Sequence, residues 1–200
     1  MEPMNATADV RADRAEFWIP TQTPDRCMQQ AVKVTGLAED RITIHSTLMG
    51  GGFGRRLFAD YAAEAAEVSR EVKAPVQVFW TREDDLRYGY FQPATAEVFE
   101  GGLDGSGNLT AFVHRASASD LTIYDIHDGK SLWPRAKGEP RAANSYEADE
   151  TPWGAFDTPY KFATLRVDCA DVTSPVPTGP WRAVEYPATV FGRECFLDEL

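Results

Sequence analysis

The chain has 200 residues, a formal net charge of −11 and a sequence pI of about 4.7. That length suffices for one domain with a real core, or one and a half small ones, and the acidity excludes a nucleic-acid binder, which needs a broad basic face. A hydrophobic share of 43% with five tryptophans excludes disorder along the whole chain, and no apolar run approaches the ~20 residues of a membrane span.

Residues 16–20 (Glu16-Phe17-Trp18-Ile19-Pro20) read as a short strand. Thr23 then offers an N-cap, Pro24 fits the first helical position, and Asp25 complements the helix dipole. This helix runs through Met28, Ala31, Val32 and Thr35 and stops at Gly36. Ile42, Ile44, Ser46 and Leu48 alternate with Thr43, His45 and Thr47, which predicts a second strand. A second helix is expected over residues 58–73, with Phe58, Ala62, Ala65, Ser69 and Val72 on one face and Pro75 ending it. Val76 to Trp80 gives a third strand. The β-α-β-α-β order over residues 16–80 favours a parallel sheet with right-handed crossovers, and ligands of such sheets sit at the carboxyl ends of the strands.

Beyond this point the pattern changes. Strand-like runs at 96–100 and 109–114 flank a hairpin-type turn, Asp104-Gly105-Ser106-Gly107-Asn108. Residues 117–158 are irregular, with scattered aromatics such as Tyr124, Trp133, Tyr146, Trp153 and Phe156; a connection this long is usually functional or an extended surface excursion. Ala163, Leu165, Val167 and Cys169 alternate as another strand. Residues 174–182 are rich in proline and glycine, hence rigid and non-helical. A terminal helix over residues 187–200 would place Phe191, Cys195 and Asp198 on one face. The fold class expected is mixed α/β: a β-α-β-α-β unit carrying a glycine-rich loop, then antiparallel strands and the final helix. Three stretches are expected within one domain: 1–93, 94–170 and 171–200.

The most telling stretch lies between the second strand and the second helix: Gly50-Gly51-Gly52-Phe53-Gly54-Arg55-Arg56. Glycines let the backbone visit φ > 0 and approach a ligand closely, and N–H groups at the start of the next helix would face an anion. With two arginines at its end, the loop reads as a cradle for a phosphate-bearing or similarly polar cofactor. It is not a Walker loop, since it lacks a Gly-Lys-Ser/Thr sequel, and it lacks the wider third-glycine spacing of a dinucleotide fingerprint. Phe53 is either a core plug or the floor of a cofactor site. Arg182 is either a surface arginine or a ligand group held on rigid backbone.

The remaining polar clusters favour ordinary readings. The cysteines Cys27, Cys169 and Cys195 have no metal or haem spacing and read as small buried hydrophobes. His45, His114 and His127 are too far apart to suggest metal ligands. Glu83-Asp84-Asp85 and the acidic group at Glu147, Asp149 and Glu150 read as solvated turns. No catalytic set of Ser-His-Asp or Cys-His type can be assembled, so neither a catalytic residue nor a metal ligand is assigned.

Taken together, three motifs resemble the molybdopterin-binding subunit of the xanthine dehydrogenase/aldehyde oxidase family. The stretch 50–56 is similar to that family's GGGFG loop. Thr178-Gly179-Pro180-Trp181-Arg182-Ala183-Val184, with Pro187 and Glu194 beyond it, resembles its second cofactor loop. Met1-Glu2-Pro3-Met4-Asn5-Ala6 resembles the opening of a bacterial branch that includes isoquinoline 1-oxidoreductase β-subunits and membrane-associated aldehyde dehydrogenases. Gly54-Arg55-Arg56 points to the same branch. The resemblance implies hydroxylation of a substrate carbon at a molybdenum centre, with oxygen from water and electrons passed on to iron–sulfur clusters. It implies Gly51, Gly52, Phe53, Gly54, Arg55 and Arg182 as cofactor-binding residues. The cofactor would be molybdopterin, in bacteria usually as the cytosine dinucleotide.

Leu57 and Val184 stand where purine enzymes place substrate-binding side chains, and Glu185 stands where glycine is usual. An aldehyde or N-heterocycle therefore fits better than a purine. Implied partners are an iron–sulfur electron-transfer subunit, a c-type cytochrome subunit and the remainder of the molybdenum subunit. Both ends of the chain read as cut, and an excised piece, inactive alone, is expected. The family's cofactor-contacting glutamine is expected upstream of Met1 and its catalytic glutamate downstream of Leu200. Two other readings stay open: a non-catalytic nucleotide- or phosphate-binding module, and a structural fragment whose acidic surface faces a partner.

Overall fold

The computed structural model describes residues 1–118, 153–156, 158–172, 175–184 and 186–200. The chain forms two compact units that divide between Tyr90 and Phe91.

In the first unit, strands β1 (Asn5–Val10), β2 (Ala15–Ile19), β3 (Ile42–Ser46) and β4 (Val76–Phe79) make one sheet in the order β3-β2-β1-β4. Helices α1 (Pro24–Thr35) and α2 (Asp60–Val72) occur between strands, as their apolar periodicity predicts, and α3 (Arg82–Tyr88) comes after β4. The sheet is not wholly parallel. β2 and β3 pair in parallel, but β1 lies antiparallel between β2 and β4. Because β4 opposes β1, it runs in the same direction as β2 and β3, so the β-α-β-α-β direction is kept around an inserted strand.

That insertion has a packing reason. β1 turns Ala6, Ala8 and Val10 inward, where they meet Phe17, Ile19 and Ile42 of the neighbouring strands. Ala62, Ala65 and Ala66 of α2 join the same core. Small side chains on both sides let helix and sheet approach closely, and burying Phe17 alone contributes about 1.5–3 kcal/mol. Ser69 fastens the pair: its hydroxyl accepts from the Val10 amide at 2.9 Å and donates to the Ala74 carbonyl at 2.8 Å.

Strand direction brings three segments together. The carboxyl ends of β2 and β3 and the amino end of β1 fall on one edge of the sheet. Residues 2–4, 20–23 and 47–56 therefore converge there.

The second unit is built on β5 (Thr95–Leu103), β6 (Leu109–Ala118) and β7 (Thr164–Asp171), in the order β5-β6-β7. β5 and β6 form the expected antiparallel hairpin, whose turn is tied by Asp104 accepting from the Ser106 and Asn108 amides. β7 joins parallel to β6 rather than antiparallel. A short helix, α4 (Trp153–Phe156), precedes β7, and α5 (Tyr186–Glu199) closes the chain. The inward residues of α5 are Thr189 and Arg193, while Phe191 is 72% exposed and Cys195 and Asp198 are exposed too. The three residues expected on one face do share one, and it is the solvent-facing one. Gly192 admits Phe99, and Phe196 stacks on the same ring at 5.5 Å, so ring packing on β5 sets the rotation of the helix.

Two smaller expectations are also corrected. Glu83, Asp84 and Asp85 form the first turn of α3, behind a capping box at Thr81, with Asp85 buried and paired to Arg82. Cys27 is buried, but Cys169 and Cys195 are exposed. His127 and the acidic group at 147–150 lie outside the described residues. No group of three or more metal-ligating side chains occurs among the described residues.

Candidate cofactor loops

In the first unit the glycine loop leaves β3 and turns back along the sheet edge. Gly51 and Gly54 hold φ of +100° and +89°, and Phe53 holds +50°. At Gly51 a Cβ would lie 2.5 Å from the Phe53 ring, and at Gly52 it would lie 2.5 Å from Gln22 Oε1. Gly51 thus meets both a backbone and a space requirement.

The loop's own hydrogen bonds are selective. Gly50 N–H donates to the Glu2 carboxylate at 2.6 Å, Gly54 N–H to Gln22 Oε1 at 3.0 Å and Arg55 N–H to the Gly52 carbonyl at 3.0 Å. The amides of Gly51, Gly52 and Phe53 have no acceptor among the described residues. Three consecutive unpaired N–H groups on a glycine backbone form a donor nest that suits an electron-rich ligand. Phe53 is 46% exposed, so it is not a core plug.

The arginines do not contribute to that nest. Arg55 is 1% and Arg56 0% exposed. Arg55 forms a two-pronged pair with Asp60, at 2.9 and 2.7 Å, and its guanidinium lies 4.6 Å from the centre of the Tyr90 ring. Burial alone would push this guanidinium down; the Asp60 carboxylate outweighs it and holds the group above its ordinary value. Arg56 donates to the Pro20 carbonyl at 2.7 Å and the Pro3 carbonyl at 2.8 Å, and pairs with Glu2 at 3.2 Å. Both side chains turn away from the loop's open amides toward these protein partners. Their charges are therefore taken up by protein partners, which leaves the loop's open amides, not the two guanidinium groups, as its exposed donors.

Residues around the start of α1 complete the loop's support. Gln22 is a functional candidate that no sequence motif marks; its place just past the carboxyl end of β2 is the one signal for it. With its oxygen on Gly54, its side-chain NH₂ has no partner among the described residues. Thr23 sits at the N-cap position but does not cap α1; its hydroxyl donates to the Leu57 carbonyl at 3.1 Å. Arg26 donates to the same carbonyl at 3.1 Å. Leu57, in a 3-10 turn (Arg55–Leu57), is half-buried with its backbone held on both sides.

The second loop belongs to the second unit. Phe91 pairs with Thr178, its amide donating to the Pro177 carbonyl at 2.8 Å and its carbonyl accepting from Gly179 at 3.0 Å. Thr178, Gly179 and Pro180 are buried by this pairing. Arg182 then stands exposed, with no hydrogen bond or ion pair to a described residue. Ala183 and Val184 come next, with φ of +63° and +53°. Two successive non-glycine residues in that region are strained, a branched valine most of all. The Gln92 side-chain amide donates to the Val184 carbonyl, and Tyr186 N–H donates to the Ala183 carbonyl at 3.0 Å as α5 begins. Pro187 lies in the first turn of α5, and Glu194 accepts from Tyr160 and Arg193. Glu185 lies outside the described residues.

His45 and His114 stay out of both loops. His45 stacks on Trp18 at 5.2 Å and bonds Glu16 at 2.8 Å. His114 is buried against Phe99, with its Nε2 3.5 Å from Glu97.

All 200 residues match the molybdopterin cofactor-binding domain family. The chain belongs to that family. It is 30% identical, over its whole length, to isoquinoline 1-oxidoreductase subunit beta of Brevundimonas diminuta, of which it spans 24%. It is also 30% identical over its whole length to the membrane-bound aldehyde dehydrogenase [pyrroloquinoline-quinone] of Gluconacetobacter polyoxogenes, of which it spans 25%. The whole chain superposes on quinoline 2-oxidoreductase from Pseudomonas putida 86 with a TM-score of 0.75 at 17% identity, covering 24% of that chain. The domain thus spans about a quarter of these relatives, and the expected branch is borne out. The three open amides of residues 51–53 and the Gln22 NH₂, which has no partner among the described residues, fit a molybdopterin, whose phosphate oxygens, ring carbonyl, ring nitrogens and metal-bound oxygen ligands are acceptors for such donors.

Proposed function

We propose that this domain supplies part of the cofactor cradle of a molybdenum hydroxylase that oxidises an aldehyde or N-heterocycle with oxygen from water. The observation that carries this reading is the open run of amides at Gly51, Gly52 and Phe53, on a backbone whose φ is positive at Gly51 and Phe53. When bound, a molybdenum pterin supplies the two-electron oxidation of the substrate carbon. The chain's own groups bind and orient. The amides of 51–53 donate to the cofactor, and Gly51 and Gly54 allow the close approach. Gln22 NH₂ adds a side-chain donor, in the role expected of a glutamine upstream of Met1. Arg182 contributes an exposed guanidinium that nothing in the described protein occupies.

Leu57 and Val184 face the substrate in this reading. Both are apolar and carry no charge to bind a purine's polar edge. The cytosine dinucleotide form, an iron–sulfur partner subunit, a c-type cytochrome subunit and a catalytic glutamate outside these residues belong to the same proposal. So does the three-stretch organisation at 1–93, 94–170 and 171–200. The phosphate-module alternative loses its main support with both arginines buried.

The test is to purify the protein, made with its genomic neighbours in a molybdopterin-producing bacterium. One molybdenum and one pterin per chain are expected, with CMP released on acid hydrolysis and oxidation of aromatic aldehydes or N-heterocycles but not of purines. A protein that copurifies with neither metal nor pterin sinks the proposal.

A further inference from the structure

Arg55 and Arg56 are adjacent in sequence, fully buried, and directed to different partners. Arg55 goes to Asp60 at the start of α2 and lies against Tyr90; Arg56 goes to the carbonyls of Pro3 and Pro20 and to Glu2. Fold stability is a poor reason for such an arrangement. A buried ion pair replaced by apolar residues of similar volume is often neutral or more stable. What a forked guanidinium provides is direction, because both of its bonds fix the plane and the backbone behind it.

That backbone is the last turn of the glycine loop. The loop holds Phe53 at φ +50°, a conformation that persists only where the surroundings enforce it. Its amides at 51–53 face no internal acceptor among the described residues. A glycine-rich loop left to itself would rotate and satisfy some of those donors internally or with water. Anchoring the two residues just after Gly54 to separate partners removes that freedom.

We propose that Arg55 is a positioning residue: its two-pronged bond to Asp60 holds the 51–53 amides open and aligned for the cofactor, without its side chain touching it. The inference rests on the cofactor reading above. It predicts that the ion pair is dispensable for folding and required for loading.

The test uses the protein made with its genomic neighbours in a molybdopterin-producing host. The double variant Arg55→Met/Asp60→Leu restores an apolar, uncharged pair. Its Tm is expected within a few degrees of wild type, while molybdenum and pterin content fall at least tenfold. In cofactor-free protein, hydrogen exchange at residues 51–53 is expected to slow in the double variant relative to wild type, as the loop closes on its own donors. Arg55→Lys keeps the charge without the fork, and is expected to lose molybdenum several-fold despite retaining the pair with Asp60. A double variant that folds and loads molybdenum as wild type does overturns the inference alone. Should the double variant fail to fold, full loading by Arg55→Lys overturns it equally. Wild-type protein without molybdenum overturns the cofactor reading, and this inference with it.

Discussion

The loop at residues 50–56 and the loop at residues 178–184 are held by opposite means. The first is fastened by side chains: Glu2, Gln22 and the two buried arginines reach its backbone or anchor its end. Glycines absorb its positive φ angles at Gly51 and Gly54 at no steric cost. The second is fastened by a neighbouring backbone at Phe91, with the Gln92 side chain donating to the Val184 carbonyl. Its positive φ angles fall on alanine and valine, where they cost stability. One loop is anchored by charged and polar side chains at its two ends; the other carries two successive non-glycine residues at positive φ beside an exposed arginine.

The largest expected effect tests the first half of that contrast. Asp60→Ala leaves the Arg55 charge buried without a partner and should cost about 3–5 kcal/mol. Denaturant unfolding of the chain, monitored by tryptophan fluorescence, measures it; a loss below about 1 kcal/mol would show that the pair anchors nothing. Next come two glycine exchanges of opposite sign. Gly51→Ala adds a Cβ at 2.5 Å from the Phe53 ring on a φ of +100° and should cost about 1–3 kcal/mol. Val184→Gly should gain up to about 1 kcal/mol by relieving strain, and thermal unfolding distinguishes the two. If both destabilise, the second loop is not strained and the contrast fails.

Gln92→Leu removes a single donor from the Val184 carbonyl and should cost about 0.5–1.5 kcal/mol, with faster amide exchange confined to residues 178–186. The smallest effect is pH-dependent. Burial alone would raise the Glu2 carboxyl, but the Gly50 amide, Asn5 and Arg56 together hold it below its ordinary value of 4.5. Its stabilisation is therefore complete above that pH and is lost as pH falls through the lowered folded value. Glu2→Gln should flatten that acid limb of the stability curve and leave the neutral region about 1 kcal/mol lower. An unchanged acid limb would remove Glu2 from the loop's support.

Much of the fold can be read from residues alone, for identifiable reasons. The helices at 24–35 and 60–72 have strong apolar periodicity and glycine or lysine left-handed ends, so their expected limits lie close to the observed ones. β1 escapes such a reading because its inward residues are mostly alanine, small enough for α2 to lie on it but weak as a strand signal. The parallel pairing of β7 is equally hidden, since alternation gives no direction. At the site, the glycine loop announces itself by composition. Its arginines mislead, because sequence gives charge but not which way a side chain turns. Thr23 misleads for the same reason, donating to Leu57 instead of capping its own helix.

What the sequence determined by itself is the family, through three ordered motifs, and the backbone freedom of the glycine loop, since glycine adopts positive φ without steric cost. Tertiary structure alone decided that the arginines turn inward, that Gln22 reaches the loop and that three amides stay open. Those outcomes depend on Asp60, Glu2, Pro3 and Pro20, which are distant along the chain or on other elements. They meet at one sheet edge only because β1 enters antiparallel between strands that all end there.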